Sequence, residues 1–266
     1  MNFVISVVNP SMAPRMNAIV QSLELPLSIE LLGRGTATKN VLDLLGKSIR
    51  VGMTTKELDK IAFDYIKSCG ATPSFLGYGG YPASICASID EMVVHGIPSD
   101  DIVIKDGQLV SIDVGVIYNG WHGDAARTFM IGNVSAEKRK LVKVTEECFF
   151  KAIENLHDGS PLGDIGYQVQ THAEANGFSV VRALTGHGIG KEMHEDPSVP
   201  NFGRAGTGMR LKAGTVLCVE PMIAMGNWRV KILDDEWTAV TVDGKCAAHY
   251  ENTLVVREDG VEILTL

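Results

Sequence analysis

An α+β fold in two similar halves, with antiparallel sheets covered by helices, is predicted by three observations. Helical and extended patterns come in blocks, helices then strands then helices then strands, so each half would lay helices on one face of a sheet. The most legible extended segment is a hairpin centred on Asn119-Gly120, the dipeptide preferred in two-residue type I′ turns. At 266 residues and 45% hydrophobic, the chain is long enough to bury one large core or two closely packed halves. No low-complexity tract, linker or short-period repeat interrupts it.

Taken in order, the first 35 residues carry the weakest pattern. Asn9-Pro10-Ser11 reads as a turn, and Pro26 and Gly33-Arg34-Gly35 are expected to break the chain again. Val41, Leu42, Leu44 and Leu45 predict a helix ending near Gly46. Thr54-Thr55-Lys56-Glu57 has the form of a capping box, opening a second helix that reaches Cys69 with Gly70 as its stop. A glycine-rich loop, Gly77 to Pro82, leads into a β-rich block from Ser84 to Ile131, with hairpin arms Leu109 to Tyr118 and Trp121 to Ile131. Helices follow over roughly Ala136 to Asn155 and Gly163 to Asn176, the second closed by Gly177. The last third predicts strands near Thr215–Glu220, Trp237–Val242, Ala247–Val256 and Val261–Leu264. The organisation expected is an N-terminal segment, 1–35, and one main domain, 36–266, with halves of about 36–135 and 136–266.

Composition narrows the function. Acidic residues exceed basic ones by 32 to 24, a formal charge of −8, which argues against a polyanion as main partner. The five cysteines are odd in number and never form a C-x-x-C pair, so neither a disulfide framework nor a zinc finger is indicated, and a reducing compartment is the simpler reading. The apolar run Phe3 to Val8 is too short for a signal-peptide core. No other run approaches the roughly 18 residues that span a membrane. A cytoplasmic protein without membrane attachment is expected.

The chemistry concentrates in Asp113, Asp124, His187, Glu220 and Glu251. Four carboxylates and one imidazole make an oxygen-rich set suited to two divalent ions, pointing to a dinuclear metallohydrolase. If Asn119-Gly120 is the turn, Asp113 faces Ala126, two residues from Asp124. Both aspartates then lie on one face within the diagonal reach of roughly 7–8 Å. Alone, such a pair also suits an ordinary solvated face. Glu251 sits in a strand whose alternate residues are His249, Thr253 and Val255, and Glu220 ends an apolar run at Pro221; a carboxylate there needs a cation, although an arginine could serve. In Thr185 to Gly190, glycines frame His187 and allow close backbone approach or positive φ. The spacing matches neither G-x-G-x-x-G nor the P-loop, which sets aside a nucleotide loop. His194 and His95 complete the polar inventory, each equally readable alone as a satisfied histidine.

The strings Tyr81-Pro82 through Cys86 to Val94-His95-Gly96-Ile97-Pro98, Ile112-Asp113-Val114, His122-Gly123-Asp124, Gly186-His187-Gly188-Ile189-Gly190, His194-Glu195, Val219-Glu220-Pro221-Met222 and Tyr250-Glu251-Asn252-Thr253 resemble those of the methionine aminopeptidases. The resemblance runs from about residue 36 onward. It implies the pita-bread fold, two halves related by a pseudo-two-fold axis with metals between them. The short interval between Glu220 and Glu251 resembles the compact type I enzymes, since it leaves no room for the helical insertion of type II. Met193, where an aromatic residue is common, and Gly115, in place of a frequent threonine, depart from the pattern.

The resemblance further implies that Asp113 chelates one ion, Asp124 and Glu251 bridge both, and His187 with Glu220 completes the other. The ions would be two of cobalt, manganese, iron or zinc. A metal-bound hydroxide would attack the first peptide bond; bound zinc lowers the pKa of water from about 16 to about 7. Glu220 would carry the proton, His194 would steady the oxyanion and His95 would contact the scissile amide. Tyr78, Tyr81, Cys86, Met193 and Trp237 would wall a pocket for methionine, whose sulfur suits soft, aromatic surroundings. The substrates implied are the N-termini of nascent proteins and peptides, near the ribosome, with a small uncharged second residue preferred. A monomer with no specific nucleic-acid partner is expected. Two other readings share the fold: a proline-directed or creatinase-like hydrolase, and a binding module that has lost its metal ligands. The sequence keeps all five candidate ligands.

Overall fold

A computed structural model describes residues 25–266, so the expected turn at Asn9-Pro10-Ser11 lies outside the described residues. Helix α1, Leu25–Ser48, runs without a break through Gly33-Arg34-Gly35, where the sequence pattern suggests an interruption, and ends two residues past Gly46. Two physical reasons account for this. Pro26 occupies the second position of the helix, where no intrahelical N–H bond is required. Gly35 lies against the main chain at Leu264, where a Cβ would sit 2.0 Å from the carbonyl oxygen. Helix α2, Thr55–Ser68, opens with the full capping box: Glu57 N–H donates to the Thr54 hydroxyl and the Thr54 N–H to the Glu57 carboxylate.

After strand β1 (Thr72–Pro73) and a single 3₁₀ turn at Tyr78–Gly80 come β2 (Cys86–Ile89), β3 (Met92–Val94) and the hairpin β4 (Leu109–Tyr118) and β5 (Trp121–Met130). Asn119 (φ 51°) and Gly120 (φ 81°) both take the left-handed conformation that a type I′ turn requires. The turn pins the register Leu109↔Met130 through Tyr118↔Trp121. Helices α3 (Ala136–Ile153) and α4 (Gly163–Ala175) follow, then β6 (Ser179–Val180), β7 (Thr185–Gly188), β8 (Glu195–Pro200), β9 (Val216–Val219), β10 (Met222–Ala224), β11 (Val230–Ile232), β12 (Ala239–Thr241), β13 (Ala247–His249), β14 (Asn252–Val256) and β15 (Val261–Ile263).

The strands form sheets of order β1-β4-β2 with β5 on β4, β15-β14-β9-β7-β8, β13-β10-β6 and β11-β12-β3. Helix α1 packs on β4 and β5, while α3 and α4 pack on each other and over β13, β10, β6 and β8. One buried cluster, including Val41, Leu45, Leu58, Ile66, Ile112 and Val114, lies under the first helix pair. A second, including Leu141, Phe149, Ile165, Val169, Leu217 and Leu254, lies under the second pair. Helices thus cover antiparallel sheets, the pita-bread arrangement. No helix among the described residues is long and apolar enough to cross a membrane.

Two strand expectations need correction. The segment expected as one strand over Ala247–Val256 is split at Tyr250-Glu251 into β13 on one sheet and β14 on another. At the split, Glu251 N–H donates to the Ala126 carbonyl (3.0 Å) and Ala126 N–H to the Glu251 carbonyl (3.3 Å), so β5 takes over the main-chain bonds that a continuous ladder would have used. Trp237 precedes β12 and belongs to the turn whose Asp235 side chain accepts from its N–H and from that of Thr238.

Candidate metal centre

The pairing of β4 and β5 sets Asp113 opposite Ala126 and Asp124 opposite Gly115, so the two aspartates share one face and their carboxyl groups interact. His187 comes from β7, at a bulge between His187 and Gly188. Glu220 follows β9 directly, and the Asn201 side-chain amide donates to its carbonyl (2.9 Å). Glu251 comes from the split between β13 and β14. These elements bring His187 Nε2 to 3.9 Å from Asp124 Oδ2 and 3.8 Å from Glu220 Oε1. The glycines around His187 serve close packing and do not adopt positive φ: a Cβ on Gly186 would lie 2.3 Å from the Cys218 carbonyl oxygen, and one on Gly188 2.2 Å from that of Asp196.

The donor chemistry fits divalent ions. Among the described residues no lysine or arginine forms an ion pair with any of the four acids; the partners of Asp124, Glu220 and Glu251 are histidines. Asp113 Oδ1, Asp124 Oδ1 and Glu251 Oε1 are buried without a hydrogen-bond partner. Burial first, and then mutual repulsion, push the carboxyls of Asp124, Glu220 and Glu251 well above the usual carboxylate range, and burial also raises Asp113. Such a cluster is costly as it stands, and dications would remove both the repulsion and the orphaned oxygens. The tautomer of His187 also suits a metal. Nδ1 lies 2.8 Å from the Gly188 carbonyl, which can only accept, so Nδ1 carries the proton and the Nε2 lone pair faces the carboxylates. Burial lowers its pKa to about 4, which keeps the ring neutral at pH 7.

The site is graded in depth. Asp124 and Glu251 are 3% and 1% exposed, whereas Asp113 and Glu220 are half-buried and His194 is exposed. The His194 ring lies 4.3 Å from that of His187, and its Nδ1 is 2.7 Å from the Tyr78 hydroxyl. Tyr78 is 43% exposed and stands over His194, apart from the packed pocket cluster. His95 is half-buried, with φ 61°; burial first, then the charges of His249 and His194, lower its pKa to about 4. Tyr81, Cys86 and Met193 pack together with Trp237 against them, joined by Phe75, Ala83 and Ile97. Tyr81 stands edge-on to Trp237 (5.0 Å), its hydroxyl 3.1 and 3.0 Å from the carbonyl oxygens of Ile85 and Gly96, donating to one at a time. Cys86 pairs with Asp113 across β2 and β4, which seats the apolar cluster beside the acids. Gly115 has a local reason: a Cβ there would meet the Phe75 ring at 2.6 Å.

Sequence reasoning overlooked His249 and Cys218. His249 is 1% exposed with both ring nitrogens unpartnered, its Nε2 3.6 Å from Glu220 Oε2 and 3.9 Å from Glu251 Oε2. Cys218 Sγ lies in one group with ligand atoms of Asp124, His187 and Glu251. Each precedes a candidate ligand by two residues, the spacing that places neighbours on one face of a strand, and that was the available signal. Arg127 was also missed. Its guanidinium donates to the carbonyls of Ala126 (2.8 Å) and Glu251 (2.6 Å) and to Asn252 Oδ1 (2.7 Å) and lies over the Tyr250 ring, clamping the strand split that presents Glu251.

Residues 34–258 match metallopeptidase family M24. The chain is 55% identical over 232 residues to the methionine aminopeptidase of Clostridium perfringens, covering 87% of this chain and 93% of that one. The chain belongs to the methionine aminopeptidases of family M24. The crystal structure of methionine aminopeptidase from Rickettsia prowazekii superposes with a TM-score of 0.88 at 42% identity, covering 90% of this chain and 96% of that one. Prolidase from Pyrococcus furiosus, at 20% identity and a TM-score of 0.74 over 98% of this chain and 74% of that one, shares the fold. Membership makes the chain a metallo-exopeptidase, and the buried group of Asp124, His187, Cys218 and Glu251 is a site able to hold a divalent metal.

Proposed function

We infer that this enzyme removes N-terminal methionine from nascent proteins and peptides by metal-assisted hydrolysis. The observation that carries the reading is the direct contact between two environments: unpartnered buried carboxylates, and an apolar cluster of Tyr81, Cys86, Met193 and Trp237 joined to them through the Cys86↔Asp113 pair. The first suits cations. The second suits an unbranched thioether.

Asp113, Asp124, His187, Glu220 and Glu251 would hold two divalent ions. When bound, such ions acidify water and polarise a carbonyl. The remaining work falls to side chains. Glu220, half-buried with a raised pKa and one oxygen towards each of His187 and His249, is suited to take a proton and return it to the leaving amine. His194, its Nδ1 2.7 Å from the Tyr78 hydroxyl, would accept from that hydroxyl and donate through Nε2 to the developing oxyanion. His95, kept neutral by burial, contacts the scissile amide. The finer reading also includes a small uncharged second residue, action near the ribosome, a cytoplasmic location, a monomer, no specific nucleic-acid partner, and one catalytic unit over 36–266 made of two pseudo-repeat halves.

The test is release of methionine from Met-Ala-Ser, Met-Leu-Ser and X-Pro peptides by chelator-stripped protein, with and without Mn²⁺, Co²⁺, Fe²⁺ or Zn²⁺. Metal-dependent release from Met-Ala-Ser with little from Met-Leu-Ser is expected. Preference for X-Pro would replace this reading with a proline peptidase. No turnover with any metal would favour a binding module.

A further inference from the structure

Cys218 is fully buried on β9, in register with His187 on one side and Thr253 on the other, so the three side chains share one face of the sheet. Its Sγ and one ligand atom each of Asp124, His187 and Glu251 all lie within 4.8 Å of one another. Metal bonds of about 2.0–2.3 Å allow donors of one ion to stand at most about 4.6 Å apart, so this group surrounds a single ion's position to within a few tenths of an ångström.

The polar neighbours of the thiol are a hydroxyl and the site's own acids. Its Sγ lies 3.5 Å from Thr253 Oγ1, a hydroxyl that donates to the Asp124 carbonyl (2.8 Å) and accepts from the Asp124 N–H (2.9 Å). The Glu251 carboxylate also accepts a hydrogen bond from the thiol, and Asp124 Oδ1 and Glu251 Oε1 are buried without a partner. Cys148 donates to the Val169 carbonyl and Cys246 to Asp90, while Cys86 packs in the aromatic cluster. Among the described residues, Cys218 is the cysteine that joins the metal-ligating group.

We propose that Cys218 is a direct sulfur donor to the ion held by Asp124, His187 and Glu251, an assignment that rests on the metal-centre reading above. On binding, the S–H bond breaks, its proton leaves to solvent, and the sulfur lone pair forms the metal–sulfur bond; nothing is oxidised or reduced. The ion therefore has a mixed oxygen, nitrogen and sulfur environment. Such a set favours thiophilic ions, zinc, iron(II) or cobalt, over manganese, which a carboxylate and imidazole cage alone would accept more evenly.

The experiment is titration of chelator-stripped whole protein with Co²⁺, followed by absorption spectroscopy and by calorimetry. The expected result is a near-ultraviolet sulfur-to-cobalt charge-transfer band in the native chain, retained in Cys86→Ala and absent from Cys218→Ala and Cys218→Ser. The zinc-over-manganese affinity ratio should fall about tenfold or more in Cys218→Ser. Should the alanine variant fail to fold, the serine variant, close in size, decides. Cobalt binding by calorimetry without the band in the native chain, or a band that survives in Cys218→Ser, overturns the sulfur assignment and leaves the metal centre standing. No cobalt uptake by folded protein overturns the metal centre, and the sulfur assignment with it.

Discussion

The β4–β5 hairpin and the sheet around β9 supply the candidate ligands of one site by different means. In the hairpin, Asp113 and Asp124 stand inside ten-residue strands paired without a slip, and a two-residue turn between them sets their register. Around β9 the candidate ligands occupy irregularities: His187 at a bulge, Glu220 between a strand end and a proline, Glu251 at a split between sheets. The first arrangement is local and self-specified. The second draws on partners farther along the chain, the Asn201 amide for Glu220 and Ala126 with Arg127 for Glu251, while His187 bonds the carbonyl of its neighbour Gly188. A locally specified rib thus faces one whose placement depends on the rest of the fold.

The sharpest way to break the contrast is to insert one glycine between Asn119 and Gly120. If register rests on that turn, β5 slips by one residue and Asp124 swings to the opposite face. Metal binding should vanish in calorimetry while far-ultraviolet circular dichroism keeps its shape. The equivalent insertion at Gly244, in the exposed turn before β13, should cost less than tenfold, because Ala126 and Arg127 hold Glu251 whatever the length of that turn. Next in size, Asp124→Asn should weaken metal binding by more than the roughly 10–100-fold typical of an outer partner. Arg127→Met, which removes the hold on the Glu251 carbonyl, should fall within that range, with Arg127→Lys intermediate.

This contrast also explains what was legible in the sequence. Asn119-Gly120 announces its own register, so the Asp113 and Asp124 geometry could be read from spacing alone. Thr54 to Glu57 announces a helix start in the same local way. The split at Tyr250-Glu251 has no local signal, because it exists only where β5 replaces a ladder partner more than a hundred residues away in sequence. Helix α1 was mistaken for a broken segment because the packing that calls for Gly35 lies against Leu264. His249 and Cys218 were overlooked although each stands two residues before a candidate ligand, since spacing does not report whether a buried imidazole or thiol has a partner.

Acidity offers a gentler probe. The acids bind protons more tightly in the fold than in the unfolded chain, so the metal-free protein loses their contribution to stability as pH rises from the ordinary carboxylate range towards their raised values. His187 and His249, held to about 4 against 6.5, act oppositely: their neutral burial costs stability as pH falls from about 6.5 to about 4. Saturating metal cancels the carboxylate repulsion, so the gap in Tm between loaded and stripped protein should be wider at about pH 8 than at about pH 5.5. A gap that narrows with rising pH would contradict the carboxylate account. Smallest of all, Tyr78→Phe frees His194 Nδ1 on the exposed side and should lower kcat a few-fold with metal affinity unchanged.

The reciprocal bonds between Ala126 and Glu251 also order events in time. During synthesis the hairpin emerges early, together with α1 and α2 that cover it, carrying two acids that repel each other. The last candidate ligand follows only after the second helix pair and most of the remaining strands have been made. Until Glu251 reaches β5 the cage is open on one side and its hold on any ion is incomplete, so acquisition of metal is a late step that reports the docking of the whole chain.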